Sequence, residues 1–280
     1  MAEAVPEQAH DSLIAADGAR IPYLTVGQGP AVVVVPGALS VASGYGRFAV
    51  ALGERFTVHT LERRGHGDSA PQPPDYRIGI DVADLRALLD KTGAGLVVGH
   101  SYGGAVALEA ARKNPGISKL AVYEPGVSID GSIPTDWMPA YEMFLNQGKP
   151  FDAFVEFVRS NGPDAVRRMP RWMFRRMMPM FMKAPERDTV VGQLAENLRE
   201  HRELERLDNS YSNYAEITAD VLILDGDKDR RPTTGANHAR LAGVIPESDV
   251  RTLPGLDHFG LDKGDPPRVA GVIGDFLARS

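Results

Sequence analysis

Short, unbroken apolar runs recur along this chain, and they restrict its fold more than any other feature. The run Ala31–Val35 contains four consecutive valines and is followed directly by Pro36 and Gly37. A run this short and this rich in β-branched residues predicts a strand that is buried on both faces. Similar runs occupy residues 56–61, 95–98, 119–123, 221–224 and 249–253. Strands of this kind need a covering layer on each side of their sheet.

Helical patterns separate several of these strands. Leucines recur at helical spacing within residues 80–92 before Gly93, and residues 105–111 continue a second helix. Alternation of strand and helix predicts an α/β fold, with a mostly parallel central sheet flanked by helices. Ahead of this alternating part, residues 13–16 and 21–26 predict a β-hairpin around the dipeptide Asp17-Gly18.

One long stretch interrupts the alternation. Residues 127–219 contain no convincing strand, but helical patterns cover residues 135–147, 151–160 and 171–182, and a longer one begins near Glu186. We therefore expect a core domain formed by residues 1–126 and 220–280, with residues 127–219 inserted between two strands as a helical cap.

Composition limits the partners and the location of such a protein. The 280 residues carry a net charge of −6, which gives no general attraction for nucleic acid, and the absence of cysteine excludes thiolate chemistry. Residues 1–11 resemble a short frayed tail rather than a signal peptide, and no apolar stretch approaches the length of a membrane span. We expect a cytoplasmic protein without a membrane span, and the sequence leaves a homodimer open.

A glycine-rich turn follows the predicted strand at residues 95–98. Gly99, Ser101 and Gly103 form the pattern Gly-x-Ser-x-Gly, and a helical pattern follows immediately. A serine between a strand and a helix occupies a strained turn that exposes its hydroxyl group, which is the setting of a nucleophile elbow. We therefore predict that Ser101 is a nucleophile. His100, in the same tight turn, is better interpreted as a packing residue than as its base.

The motifs resemble those of the α/β-hydrolase fold family over residues 31–277. Besides the turn around Ser101, residues 63–69 read Arg-Arg-Gly-His-Gly-Asp-Ser and are similar to the family's Arg-Gly-x-Gly-x-Ser loop. This second motif supports the resemblance but carries no chemistry by itself. The resemblance implies a serine hydrolase with a triad in the chain order serine, acid, histidine.

The resemblance also implies the two partners of Ser101. The spacing Gly-x-x-Asp after the strand at 221–224 indicates Asp229 as the acid, and the loop at 253–259 indicates His258 as the base. Glu124 is an alternative acid, because it ends the strand that follows the elbow helix and some family members place the acid there.

The oxyanion donors follow from the same resemblance. The family uses the N–H of the residue after the nucleophile, here Tyr102, and a second N–H from the loop after an early strand. Ala38 is our candidate for that second donor, with Leu39 as the alternative. Pro36 stands where the family usually has histidine, which puts the hydrogen bonds that support this loop in doubt.

We expect hydrolysis of a carboxylic ester, thioester or lactone through an acyl-enzyme on Ser101, without a metal or an organic cofactor. The expected substrate is a small molecule with a largely apolar acyl group. A cofactor-free lyase or perhydrolase could use the same triad, and a non-catalytic homologue could use the same pocket to bind a ligand.

Overall fold

An eight-stranded sheet forms the centre of the structure, a computed structural model that describes residues 8–162, 164–180, 184–228 and 232–279. The strands are β1 (Ala9–Ile14), β2 (Arg20–Val26), β3 (Ala31–Val35), β4 (Thr57–Leu61), β5 (Leu96–His100), β6 (Lys119–Tyr123), β7 (Asp220–Gly226) and β8 (Ser248–Leu253). Their order is β1-β2-β4-β3-β5-β6-β7-β8. Strands β1 and β2 pair antiparallel, as do β2 and β4, and the other neighbours are parallel. The predicted fold class is confirmed.

Helices cover both faces of this sheet. In the core they are α1 (Gly46–Leu52), α2 (Ile78–Thr92) and α3 (Tyr102–Ala111), followed late in the chain by α10 (Pro232–Ala242) and α11 (Pro266–Leu277). One apolar cluster joins α2, α3 and α10 to the first face of the sheet, and another joins α1 and α11 to the opposite face. The valines of β3 divide between these two clusters, as expected for a strand buried on both sides.

Between β6 and β7 the described residues form helices and no strand. The α-helices are α4 (Met138–Asn146), α5 (Pro150–Asn161), α6 (Asp164–Arg168), α7 (Arg171–Met177), α8 (Ala184–Gly192) and α9 (Leu194–Arg206). They enclose a third apolar cluster, which includes Trp137, Tyr141 and Phe154. We call residues 127–219 the cap.

The N-terminal strand begins earlier than the sequence predicts. Residues 9–11 fall within the predicted frayed tail, yet Ala9 pairs with Thr25 and Asp11 pairs with Tyr23. The sequence does not reveal this strand because it lacks an apolar run. The strand lies at the edge of the sheet, where three successive residues of its six face solvent. The expectation of a tail up to residue 11 is therefore wrong for residues 9–11. No helix in the described part of the chain is long and apolar enough to cross a membrane.

The register of the parallel strands brings their carboxyl ends to one edge of the sheet. Val35 of β3 pairs with Gly99 of β5, and His100 pairs with Tyr123 of β6. The residues that follow these three strands therefore meet at this edge, which is where ligands bind in open α/β sheets.

Candidate active site

Ser101 lies in the turn between β5 and α3 in a strained backbone conformation. Its φ is 53° and its ψ is −121°, a region that residues with a side chain rarely adopt. The turn lies close to β3: a Cβ atom on Gly103 would lie 2.2 Å from the carbonyl oxygen of Val35. A glycine at 103 is therefore required by a close backbone approach, and the packed turn keeps Ser101 at the edge of the sheet.

His258 lies in the loop after β8 and contacts Ser101 directly. Its Nε2 atom is 3.0 Å from the Oγ of Ser101. The neighbouring residue, Asp257, is fixed because its carbonyl oxygen accepts a hydrogen bond of 2.7 Å from the hydroxyl group of Tyr123. The His258 side chain is 43 % exposed, so a substrate can reach the Ser101–His258 pair.

The carboxylate that contacts the other ring nitrogen of His258 is Glu124. Glu124 follows β6, and its Oε2 lies 2.8 Å from Nδ1 of His258. Its Oε1 accepts a hydrogen bond of 3.1 Å from the N–H of Gly226, at the end of β7. Both carboxylate oxygens are therefore held in place. Asp229, the acid indicated by the family's usual spacing, lies outside the described residues.

Charge and burial act in opposite directions on this pair. Burial raises the pKa of Glu124, but the hydrogen bond and charge of His258, with the Gly226 N–H, bring the pKa below its usual value. Partial burial lowers the pKa of His258, but the hydrogen bond and charge of Glu124, together with the charges of Asp262 and Asp257, outweigh it, so the net pKa lies above that of an ordinary histidine. The arrangement therefore favours an imidazole that accepts a proton while facing a charged carboxylate.

The two candidate oxyanion donors are the backbone N–H groups of Tyr102, which follows Ser101 in the chain, and of Ala38, which follows Gly37. Tyr102 is the first residue of α3. Gly37 packs against the turn so closely that a Cβ atom there would lie 3.0 Å from the Cβ of Ser101. In the described chain, neither the Ala38 nor the Tyr102 N–H donates to a protein acceptor, so both can serve a ligand. Leu39 has a positive φ of 53°, which indicates strain in the same loop.

His100 links the loop of Gly37 to the loop of His258. Its Nε2 lies 2.8 Å from the carbonyl oxygen of His258, and its Nδ1 lies 2.7 Å from the hydroxyl group of Tyr45. Burial and the charge of His258 lower the pKa of His100 to about 3, so the ring is neutral. Its Nε2–H donates to His258, and its Nδ1 accepts from Tyr45. This contact pattern agrees with the interpretation of His100 as a supporting residue rather than a base.

Two further carboxylates near β7 have other partners. Asp225 is buried and lies 2.9 Å from Nδ1 of His238, whereas Asp227 accepts a hydrogen bond of 2.6 Å from the N–H of Gly255. Neither of these described contacts involves His258. Among the residues that the structure describes, no group of three or more histidine, aspartate or glutamate side chains is arranged to hold a metal ion.

A family model described as "Alpha/beta hydrolase family" matches residues 32–272. The chain belongs to this family. In fold it is similar to an alpha/beta hydrolase from Sphaerobacter thermophilus, with a TM-score of 0.80 and 28 % identity over 96 % of this chain and all of that one. It is also similar to the enol-lactonase of Burkholderia xenovorans, with a TM-score of 0.72 and 20 % identity over 96 % of this chain and 100 % of that one.

Two relatives are similar in sequence. The N-formylmaleamate deformylase of Pseudomonas putida is 36 % identical over 42 % of this chain, and the match spans 46 % of that protein. The chain thus aligns with about half the length of this relative. The 2-(acetamidomethylene)succinate hydrolase of Mesorhizobium japonicum is 25 % identical over 83 % of both chains.

The sequence does not reveal the roles of two residues around the site. Tyr45 lies at the end of a short 3₁₀ helix (Ala42–Tyr45), outside every motif, yet it is fully buried against His100. Arg63 belongs to the second family motif, but spacing alone does not reveal that its side chain reaches Gly37. Contacts of this kind depend on tertiary packing, which periodicity and motifs do not describe.

Proposed function

We propose that this protein is a serine hydrolase that cleaves an acyl bond through an acyl-enzyme on Ser101. In this proposal His258 is the base and Glu124 is the acid. The observation that carries it is the unbroken chain of hydrogen bonds from Ser101 Oγ to His258 Nε2, at 3.0 Å, and from His258 Nδ1 to Glu124 Oε2, at 2.8 Å. A serine, a base and a carboxylate that orients the base are the components of this mechanism.

The reaction begins when Ser101 Oγ attacks the carbonyl carbon of the substrate while its proton passes to His258 Nε2. The oxyanion accepts hydrogen bonds from the N–H groups of Ala38 and Tyr102, each worth about 3 kcal/mol in the transition state. The leaving group then takes the proton from His258, and water hydrolyses the acyl-enzyme with His258 again acting as the base. Glu124 stabilises the imidazolium that forms in both halves of the reaction.

The apolar residues of the cap favour a small substrate with a largely apolar acyl group. Leu39, next to the proposed oxyanion donor, packs against the apolar cluster of the cap that contains Trp137 and Phe154. An apolar surface therefore borders the loop that receives the carbonyl oxygen, as is usual for a small-molecule pocket. Esters, thioesters and lactones fit this chemistry. The names of the deformylase and the acetamidomethylene-succinate hydrolase add N-acyl compounds to the candidates.

A fluorophosphonate probe tests this proposal, because it reacts with activated serines. We expect one label per chain on the wild-type protein and none on Ser101→Ala. The unlabelled Ser101→Ala protein also serves as the blank for a screen of esters, thioesters, lactones and N-acyl compounds. A label that persists on Ser101→Ala, or turnover by that variant at the wild-type rate, would refute the assignment of Ser101.

A further inference from the structure

Arg63, in the loop after β4, is buried against the loop that carries Ala38. Its side chain is completely enclosed. Its Nε donates to the carbonyl oxygen of Pro36 at 2.9 Å, and its Nη2 donates to the carbonyl oxygen of Gly37 at 2.9 Å. One guanidinium thus binds two successive carbonyl groups of this loop. The planar group of arginine can do this because its donors point in fixed directions.

The carbonyl group of Gly37 belongs to the same peptide unit as the N–H of Ala38. In a planar trans peptide the C=O and the N–H point in opposite directions. A hydrogen bond that holds the Gly37 oxygen towards Arg63 therefore turns the Ala38 N–H away from Arg63. The positive charge at the oxygen also polarises the peptide, which makes that N–H a stronger donor.

The other backbone group of Gly37 is held by Tyr45. The Gly37 N–H donates to the hydroxyl oxygen of Tyr45 at 2.9 Å, and that hydroxyl donates to Nδ1 of His100. His100 in turn donates to the carbonyl oxygen of His258. Tyr45 therefore holds the N–H of the Pro36–Gly37 peptide unit, whose carbonyl oxygen accepts from Arg63, and it connects the loop to the residue that contacts Ser101.

Arg63 is itself held by two buried carboxylates. Its Nη1 donates to Asp81 at 3.0 Å and to Glu200 at 2.7 Å, and the side chains of both acids are almost completely enclosed. Asp81 lies on α2 of the core and Glu200 lies on α9 of the cap. These contacts compensate the buried charge, and they restrict the guanidinium from the side opposite to the loop.

We propose that Arg63 and Tyr45 are positioning residues that hold Gly37 at both of its backbone groups and so aim the Ala38 N–H at the oxyanion. This inference rests on the proposed function of the site. It gives the Arg63–Ser69 motif a role in transition-state binding, although neither positioning residue touches the reacting atoms.

Arg64 provides a matched control. It is adjacent to Arg63 and almost as well buried, and it donates to Asp84 at 2.7 Å and 2.9 Å. The described hydrogen bonds of its side chain go to Asp84 and Asp17, and none goes to residues 36–38. A variant of Arg64 therefore perturbs an ion pair of the same motif without changing the oxyanion loop.

The test compares Arg63→Lys, Tyr45→Phe and Arg64→Lys in the full-length protein. The first measurement is kcat and KM for p-nitrophenyl acetate. The second is the inhibition constant of a trifluoromethyl ketone: Ser101 Oγ attacks its carbonyl carbon, and the carbonyl oxygen becomes an oxyanion. We expect kcat to fall about 10-fold or more in Arg63→Lys and Tyr45→Phe, with KM within about 3-fold of wild type. The affinity for the inhibitor should fall in proportion to kcat/KM in these two variants. Arg64→Lys should retain the wild-type kcat, KM and inhibition constant.

The outcomes separate this inference from the function on which it rests. If a fluorophosphonate labels Ser101 of the wild type while Arg63→Lys and Tyr45→Phe keep wild-type kcat and inhibitor affinity, the positioning role is wrong and the proposed function stands. A loss of melting temperature without a loss of inhibitor affinity also contradicts positioning. If Arg63→Lys does not fold, Tyr45→Phe alone tests the positioning role. This substitution removes only the hydroxyl group, and the phenyl ring preserves the buried packing. Absence of any label on the wild type overturns both.

Discussion

Glu124, the proposed acid, has a backbone conformation that residues other than glycine rarely adopt. Its φ is 43°, in the left-handed region, and its N–H donates to the carbonyl oxygen of Leu224 at 2.8 Å. The unusual conformation lets the side chain leave the end of β6 and meet both Gly226 and His258. A carboxylate held in this way is the main group that raises the pKa of His258, and with the charges of Asp262 and Asp257 it stabilises the imidazolium more than burial destabilises it.

The pH dependence of kcat/KM should report this raised pKa. His258 can accept the proton of Ser101 only when it is neutral, so activity should fall as the pH decreases through the pKa of His258. We expect the acidic limb of the wild type to lie above pH 6.5, the usual value for histidine. Glu124→Gln removes the negative charge, so this limb should move to lower pH and the plateau should fall by about 100-fold or more.

Asp229→Asn completes this comparison because Asp229 is the competing acid. If Glu124 orients His258, Asp229→Asn should leave the acidic limb where it is in the wild type. A shift of that limb in Asp229→Asn, together with an unchanged limb in Glu124→Gln, would assign the acid to Asp229 instead. The measurement is a series of kcat/KM values between pH 5 and pH 9.

At this scale, local motifs predict some residues better than others. Ser101 and His258 stand in short patterns with a characteristic backbone context, and the geometry brings them to 3.0 Å. Choosing between Glu124 and Asp229 requires the distance from each carboxylate to His258, because both residues follow neighbouring strands. Sequence spacing favours Asp229, whereas the described contact is made by Glu124. Which atom faces a histidine is a tertiary property, and no periodicity encodes it.

At the scale of the elements, β3 and α3 approach each other closely at Gly103. A Cβ atom there would lie 2.2 Å from the oxygen of Val35 and 2.4 Å from the oxygen of Pro36. Both are backbone atoms, so relief requires a shift of α3 or of the loop that carries Ala38. This single contact therefore couples the helix after the nucleophile to the proposed oxyanion loop.

We expect Gly103→Ala to be destabilising by about 2 kcal/mol, which corresponds to a loss of roughly 4–8 °C in melting temperature. Its kcat should also fall, because the shifted helix carries the Tyr102 N–H. Gly79→Ala on α2 is the matched control, since a Cβ atom there meets no atom within 4 Å. Thermal unfolding and p-nitrophenyl acetate turnover check both variants. Equal melting temperatures for the two alanine variants would show that the contact at residue 103 relaxes without cost.

The central strands could be predicted because each is a short apolar run with a clear end. Strand β3 has the predicted bounds, and so does β6. The cap is less regular: the predicted helix over residues 171–182 ends as an α-helix at Met177 and continues as a 3₁₀ turn, Met178–Met180. Pro179 lacks an N–H group, which explains why the α-helical pattern does not continue. Strand edges and cap helices depend on their neighbours more than on their own pattern.

Across the whole molecule, buried charges join the cap to the core. Glu200 and Glu203 of α9 both turn inward: Glu200 binds Arg63, and Glu203 accepts a hydrogen bond of 3.1 Å from the N–H of Ile78 at the start of α2. The second contact satisfies an N–H that the helix itself leaves without a partner. Unfolding of α9 would therefore expose buried charges on both parts of the chain, so we expect cap and core to unfold together.

The carboxyl group of Glu62 should make the stability of the folded protein depend on pH. Burial raises the pKa of Glu62, next to Arg63, to about 7, although the N–H of Ala42 donates to its Oε1 at 3.0 Å. The folded protein therefore keeps a proton on Glu62 that the unfolded chain releases near its ordinary pKa of 4.5. Because the folded state binds more protons between these values, the contribution of Glu62 to stability is present at low pH and is lost as the pH rises towards about 7.

Glu62→Gln should remove this dependence, since the amide stays neutral and its oxygen can still accept from Ala42. We expect the variant to melt higher than wild type by about 5 °C at pH 8, and by much less at pH 5. Glu54→Gln, at an exposed position, makes the same change of charge and should shift the melting temperature equally little at both pH values. A Glu62→Gln difference that is the same at pH 5 and pH 8 would mean that Glu62 does not hold its proton in the folded protein.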